Sequence, residues 1–161
     1  MAATPLPSSG SAPGRVRCYR DLLVWQRAMD LVEATYRLAG RLPRDERSEL
    51  SSQLRRATVS IAANIAEGHG RASTKEYLWF LSVAKGSLME LETLAIVTQR
   101  LGFAPGADTE QFLHATAELG RMLAGLRRGL LRRGAGAGSR KPGAGSRESG
   151  APNPRPPTPD P

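Results

Sequence analysis

Residues 51–71 read SSQLRRATVSIAANIAEGHGR, and this stretch decides the fold. From Leu50 onwards, apolar side chains recur every three or four positions, the spacing that aligns them along one face of a helix. These residues are Leu50, Leu54, Ala57, Ile61 and Ile65. The sequence Gly68-His69-Gly70 ends the pattern, as glycine does just past a helix. We therefore predict a helix from about residue 44 to residue 67 with one buried face.

Three further segments have the same helical period. The first runs from Asp21, a good N-cap residue, to about residue 41. The next begins at a capping box, Ser73 to Glu76, and stops at a Schellman-type signature, Gly102-Phe103. The last runs from about residue 108 to residue 133. No segment alternates with period two, so strands are not predicted. Four amphipathic helices with short connections predict an all-α fold, an antiparallel up-down-up-down four-helix bundle.

The apolar stripes of these helices predict the core. The first helix has two stripes side by side, whereas the others have one each. The stripes are Leu22, Trp25, Met29, Val32, Tyr36 and Ala39; Val24, Ala28, Leu31, Leu38 and Leu42; Tyr77, Leu81, Ala84, Leu88, Leu91 and Ala95; and Phe112, Thr116, Leu119, Leu123, Leu126 and Leu130.

The two ends of the chain differ from the middle in composition. Residues 1–14 carry no charged side chain, and residues 134–161 contain six glycines and seven prolines. Such segments cannot bury enough apolar surface to offset the entropy lost on ordering. We expect disordered ends around a bundle at residues 15–133. Because neither a signal peptide nor a membrane-spanning run is visible, we expect a cytoplasmic protein without membrane association.

The composition argues against most enzyme classes. The 161 residues include one cysteine and two histidines, His69 and His114. One cysteine excludes an internal disulfide framework and a multi-cysteine zinc site. Neither histidine has the Glu-x-x-His spacing of carboxylate-bridged metal sites in bundles. We expect no catalytic residue, no metal and no cofactor.

Basic residues are the best candidates for binding. Lys+Arg number 23 against 15 for Asp+Glu, which gives a net charge of +8 and favours acidic partners. Three arginines of the last helix recur at spacings of seven and four, two more flank them, and two lie on the second helix. These candidates for phosphate contact are Arg121, Arg128 and Arg132; Arg127 and Arg133; and Arg55 and Arg56. An ordinary solvated face and a surface for an acidic protein partner are the alternatives.

Two further groups carry structural predictions. Asn64 and Glu67 end the small-residue helix and need polar partners, which Arg55, Arg56 or Arg71 can supply, and we assign Asn64, Glu67 and Arg71 to a bundle-fixing network. The third helix is apolar beyond its core stripe, and such surplus apolar surface is typical of protein interfaces. We therefore predict a homo-oligomer whose interface includes Trp79, Val83, Met89, Ile96 and Val97.

Three stretches in order carry a family resemblance: YRDLLVWQRAMDLV at 19–32, the stretch at 51–71, and KEYLWFLSVAKGSLMELET at 75–93. They resemble the four helix bundle protein family, whose founding members are the 23S rRNA intervening-sequence proteins of bacteria. The resemblance extends over about residues 19–130. Its most specific element is NIAEG at 64–68, although Ala62 stands where the family usually has proline.

The resemblance implies a left-handed bundle, a homopentameric ring and no established enzymatic activity. A similar family member, the accessory variability protein of diversity-generating retroelements, is a basic pentamer that binds a reverse transcriptase and nucleic acid. We therefore expect a non-enzymatic oligomer that binds nucleic acid, RNA in the first place, with a reverse transcriptase or another nucleoprotein as a further partner. The alternative is a protein-interaction scaffold that uses its basic face for an acidic protein.

Overall fold

A computed structural model describes residues 16–43 and 49–137. A short 3₁₀ helix at Tyr19–Asp21 precedes four α-helices: α1 at Leu23–Gly40, α2 at Leu50–His69, α3 at Thr74–Arg100 and α4 at Gly106–Ala137. The described ranges contain no strand, so the prediction of an all-helical fold is confirmed. The predicted start of α2 near residue 44, residues 1–14 and residues 138–161 lie outside the described ranges. Helix α4 continues four residues past the predicted end of the bundle at 133.

The helices pack so that each contacts two others. Helix α2 lies against α1 and α3, and α4 lies against α3 and α1. All the predicted stripe residues of α2 and α3 are buried, and those of α4 are buried as far as Leu123. The last two stripe residues of α4, Leu126 and Leu130, are partly buried against the same core. None of the described helices is long and apolar enough to cross a membrane.

Helix α1 turns only one of its two stripes to the core. The residues buried from this helix and its end are Val24, Ala28, Leu31, Leu38 and Leu42, with Thr35 and Ala39 beside them. The other stripe is mostly half-buried or exposed, and Tyr36 retains 48% of its accessible surface. The apolar surface of α1 is therefore wider than its core face, and Met29 and Tyr36 of the first stripe are left exposed.

The start of α1 also corrects a prediction, because Asp21 does not cap this helix. The N-cap residue is Leu22. The Asp21 carboxylate instead accepts the backbone N–H groups of Arg17, at 2.8 Å, and Cys18, at 3.1 Å. These two hydrogen bonds stabilise the charged form and hold the pKa of Asp21 below its usual value. Asp21 therefore fixes the chain that leads into the 3₁₀ helix.

The two ends of α3 gave one correct and one wrong prediction. At the C-terminus, the N–H of Phe103 donates to the Thr98 carbonyl at 3.0 Å, and that of Gly102 donates to Gln99 at 2.9 Å. Gly102 has φ of 74°, the left-handed conformation that a Schellman motif requires. At the N-terminus Ser73 is the N-cap residue, but its side chain makes no capping hydrogen bond.

Helices α2 and α3 are in tight contact at Gly68. A Cβ atom at this position would lie 2.6 Å from the Tyr77 ring and 2.8 Å from the Phe80 Cβ. Glycine therefore lets the start of α3 lie directly on the end of α2. Gly68 is buried, and so is Tyr77. Burial raises the pKa of the Tyr77 phenol to about 12.

Helices α1 and α4 leave a groove between them. Its volume is about 350 Å³. The floor is apolar, and two ion pairs connect the helices across it: Arg27 with Glu118, Nε to Oε1 at 3.5 Å, and Arg41 with Asp108. Within the described residues these are the only ion pairs between side chains more than four positions apart. The apolar lining residues are Leu31, Ala34, Leu38, Phe112, Ala115 and Leu119.

Candidate nucleic-acid interface

The arginines of α4 are free to contact a ligand. Arg121, Arg128 and Arg132 are exposed, and so are the flanking Arg127 and Arg133. The ion pairs of the described residues involve none of the five. Residues 120–137 also contain no carboxylate. This half of α4 therefore presents unneutralised positive charge on a regular helical frame.

The arginine pair of α2 is in a different environment. Arg56 is exposed, whereas Arg55 is half-buried with its guanidinium 5.2 Å from the Tyr36 ring centroid. The Nε of Arg55 is buried and has no hydrogen-bond partner within residues 16–43 and 49–137. Arg55 thus stacks on α1. Because α2 packs against α1 and α3, this pair does not extend the arginine face of α4.

The predicted polar network divides into two parts. The Asn64 amide donates to the Ser60 carbonyl at 2.7 Å and to its hydroxyl at 3.1 Å. The Ser60 hydroxyl in turn lies 2.9 Å from that of Ser87 on α3. Glu67 forms an ion pair with Arg71, four residues later. The structure therefore joins Glu67 to Arg71 but places Asn64 in a separate link between α2 and α3.

An aromatic and cationic cluster at the start of α3 escaped the sequence analysis. The Arg71 guanidinium lies 4.8 Å from the Phe80 ring centroid. The Trp79 ring meets Phe80 edge-on, with centroids 4.8 Å apart and planes at 83°. Lys75 is exposed one helical turn before Trp79. The spacing of Arg71, Lys75 and Trp79 by four is the signal in the sequence that indicates this cluster.

The predicted interface residues of α3 lie mainly on the surface. Trp79 is 62% exposed and Met89 59%, Ile96 and Val97 are also exposed, and Val83 is half-buried.

The histidines are apart from one another: His69 ends α2 with its ring edge-on to Tyr77, at 6.1 Å, and His114 is exposed on α4. Across residues 16–43 and 49–137, no three side chains of His, Cys, Asp or Glu gather as they would around a metal ion.

Comparison with known proteins places the chain in a family. The family model for the 23S rRNA-intervening sequence protein matches residues 20–125, more than half of the 161 residues. The chain belongs to this family. No curated protein matches it significantly.

A solved structure supports the fold of this 23S rRNA-intervening sequence family member. It is a protein of unknown function from the S23 ribosomal protein family of Bacteroides thetaiotaomicron VPI-5482. The two chains are 20% identical and superpose with a TM-score of 0.62, over 66% of this chain and 96% of the other. At this identity the similarity shows the fold alone.

The family match separates the candidate residues into two groups. It ends at residue 125, so Arg127, Arg128, Arg132 and Arg133 lie beyond it. The α2 residues and the cluster around Trp79 lie within it. Most of the exposed arginines of α4 therefore lie outside the region that matches the 23S rRNA-intervening sequence family.

Proposed function

We propose that this protein is a non-enzymatic, cytoplasmic helical bundle that binds nucleic acid, RNA in the first place, through the arginines of α4. The observation that carries the proposal is the set of five exposed arginines that have no ion-pair partner among the described residues, on a stretch free of carboxylates. Arginine binds phosphate with several hydrogen bonds at once. Release of counterions from the nucleic acid then supplies most of the affinity.

An antiparallel up-down-up-down, left-handed bundle is part of the proposal. Two contacts support opposite directions for α1 and α2: Ser51 donates to the Ala39 carbonyl, and Arg55, further along α2, lies on Tyr36, earlier in α1. A connection of five residues, 101–105, joins α3 to α4, and two packed helices with so short a connection run in opposite directions.

This topology gathers positive charge at one end of the molecule. That end comprises residues 16–22, the end of α2 with the start of α3 at 66–80, and α4 from residue 120. It carries nine basic side chains against three acidic ones, whereas the rest of the described residues carry seven basic against eight acidic. A polyanion would therefore approach the basic end first.

Assembly as a homopentamer belongs to the same proposal. The exposed apolar side chains of Met89, Ile96 and Val97 on α3 support self-association, because a helix with apolar side chains on its outer face buries them against a partner. A ring would repeat the basic end of each copy around one axis. A reverse transcriptase or another nucleoprotein as a further partner fits this arrangement.

A salt titration with matched variants tests the nucleic-acid proposal. The triple variant Arg121→Ala, Arg128→Ala, Arg132→Ala should weaken binding of a single-stranded RNA. It should also reduce the magnitude of the slope of log affinity against log salt by about two, because each of the three lost phosphate contacts contributes about 0.7 to that slope. The control triple Arg37→Ala, Lys85→Ala, Arg100→Ala removes the same charge from other exposed positions and should change the slope much less.

Three outcomes would contradict the proposal. Wild-type protein that binds no RNA at low salt would do so, and so would a slope near zero. If the two triple variants have equal effects, binding depends on the net charge of the protein and not on a defined face of α4. Recovery of one stoichiometric acidic protein after nuclease treatment would favour the scaffold alternative instead.

A further inference from the structure

Trp79 presents a large, oriented aromatic face to solvent. It is 62% exposed, and its ring is held edge-on against Phe80. A ring positioned by its neighbour loses little conformational freedom when a ligand stacks on it. The opposite side of the cluster is fixed as well, because Arg71 lies over Phe80 and is paired with Glu67.

Cations border this aromatic face. Lys75 lies one turn before Trp79 on α3 and has no ion-pair partner among the described residues, and Arg71 adds a guanidinium beside Phe80. Proteins that bind single-stranded nucleic acid combine such cations, which track the phosphates, with aromatic rings on which bases stack. The pattern fits a flexible polyanion that carries flat π-faces, which an acidic protein lacks.

Trp79 is also separated from the other exposed apolar residues of α3. The next one with comparable exposure, Met89, lies ten residues on, about 15 Å along a helix. Between them, Ser82, Lys85 and Gly86 are exposed, and Val83 is half-buried. Interface cores are depleted in charge, and the exposed Lys75 and Glu76 lie within one helical turn of Trp79, so a second copy centred on the ring would meet charged side chains. The surface around Trp79 therefore suits a charged ligand better than a second copy.

We propose that Trp79 is a stacking platform for an unpaired base of single-stranded nucleic acid, with Lys75 and Arg71 beside the adjoining phosphates. The inference rests on the proposed function and deepens it, since it selects single strands over duplexes. Stacking on one aromatic side chain contributes about 5- to 150-fold in affinity. It carries no charge, so its contribution is independent of salt.

The experiment measures anisotropy of labelled strands with the full chain. The probes are a single-stranded RNA, the same sequence as a duplex, and an abasic strand of equal length. Trp79→Ala should weaken binding of the single strand about 5- to 150-fold at one salt concentration and leave the salt slope unchanged. It should leave duplex and abasic binding unaltered. Trp79→Phe should retain most of the affinity, and Met89→Ala, which alters a similarly exposed residue of α3, should retain all of it.

The outcomes separate this inference from the proposed function. If the wild-type protein binds none of the three probes, both the proposed function and the stacking role are overturned. RNA binding with a normal salt slope that Trp79→Ala does not weaken overturns the stacking role alone. A smaller native mass for Trp79→Ala would show that a second copy covers the ring, and would overturn the stacking role as well.

Discussion

At the scale of single residues, Gly68 is the described glycine at which an added Cβ atom would meet the closest contacts. Gly68→Ala would place a methyl group 2.8 Å from the Phe80 Cβ, an atom fixed to the α3 backbone. The helices must separate to admit it, so we expect a loss of about 1–3 kcal/mol in the free energy of unfolding. Urea denaturation followed by circular dichroism measures this loss.

Gly86→Ala is the matched control for that substitution. Gly86 is also a helical glycine, but a Cβ there would meet nothing within 4 Å. Alanine has the higher helix propensity, so this variant should gain up to about 1 kcal/mol. An unchanged stability for Gly68→Ala would mean that α2 and α3 are less closely packed than described.

Residue-level predictions succeeded where the interaction is local in sequence. Glu67 and Arg71 are four apart, the spacing at which helical side chains meet, and they do form a pair. The partner of Asn64 was missed because it belongs to a link through Ser60 to Ser87, which depends on how α2 and α3 are placed lengthwise. The lengthwise register of α2 against α3 cannot be read from a single sequence.

At the scale of helices, the Ser60–Ser87 hydrogen bond is a polar link between α2 and α3. Ser87→Ala removes one partner of a half-buried hydroxyl, so we expect a loss of about 0.5–1.5 kcal/mol. Ser82→Ala is the control, because the Ser82 hydroxyl is exposed and donates to the Leu78 carbonyl of its own helix. Thermal unfolding of the two variants under the same conditions gives the difference in stability. Equal melting temperatures would mean that the Ser60–Ser87 hydrogen bond does not stabilise the bundle.

The buried faces of α2 and α3 could be predicted from the sequence because each has one apolar stripe. Helix α1 has two stripes with the same period, and periodicity alone cannot decide which one faces the neighbours. The buried face contains Val24, Ala28 and Leu31, since that side meets both α2 and α4. The candidate site was harder still: the positions of its arginines were predictable, whereas the stacking of Arg55 on Tyr36 depends on tertiary packing.

At the scale of the whole molecule, the exposed apolar residues of α3 lead to a prediction about mass. Native mass spectrometry of the wild type should give five copies if the proposed pentamer is right. Met89→Lys with Val97→Lys should reduce the mass and leave the helix content unchanged, because both side chains are exposed within one copy. Leu131→Lys, at an exposed position on α4, should leave the assembly intact. A monomeric wild type would contradict the prediction.

The groove between α1 and α4 makes the packing of these two helices sensitive to salt, in addition to the competition of salt ions with nucleic-acid phosphates for the arginines. Its two connecting ion pairs are largely exposed, so salt screens them. Amide hydrogen exchange along α1 should then quicken modestly as salt rises, because exposed ion pairs of this kind contribute at most about 1 kcal/mol. A salt titration of this protein therefore changes the packing of α1 as well as the affinity for phosphate. Measuring the exchange rate of the α1 amides at each salt concentration separates the structural effect from the effect on binding.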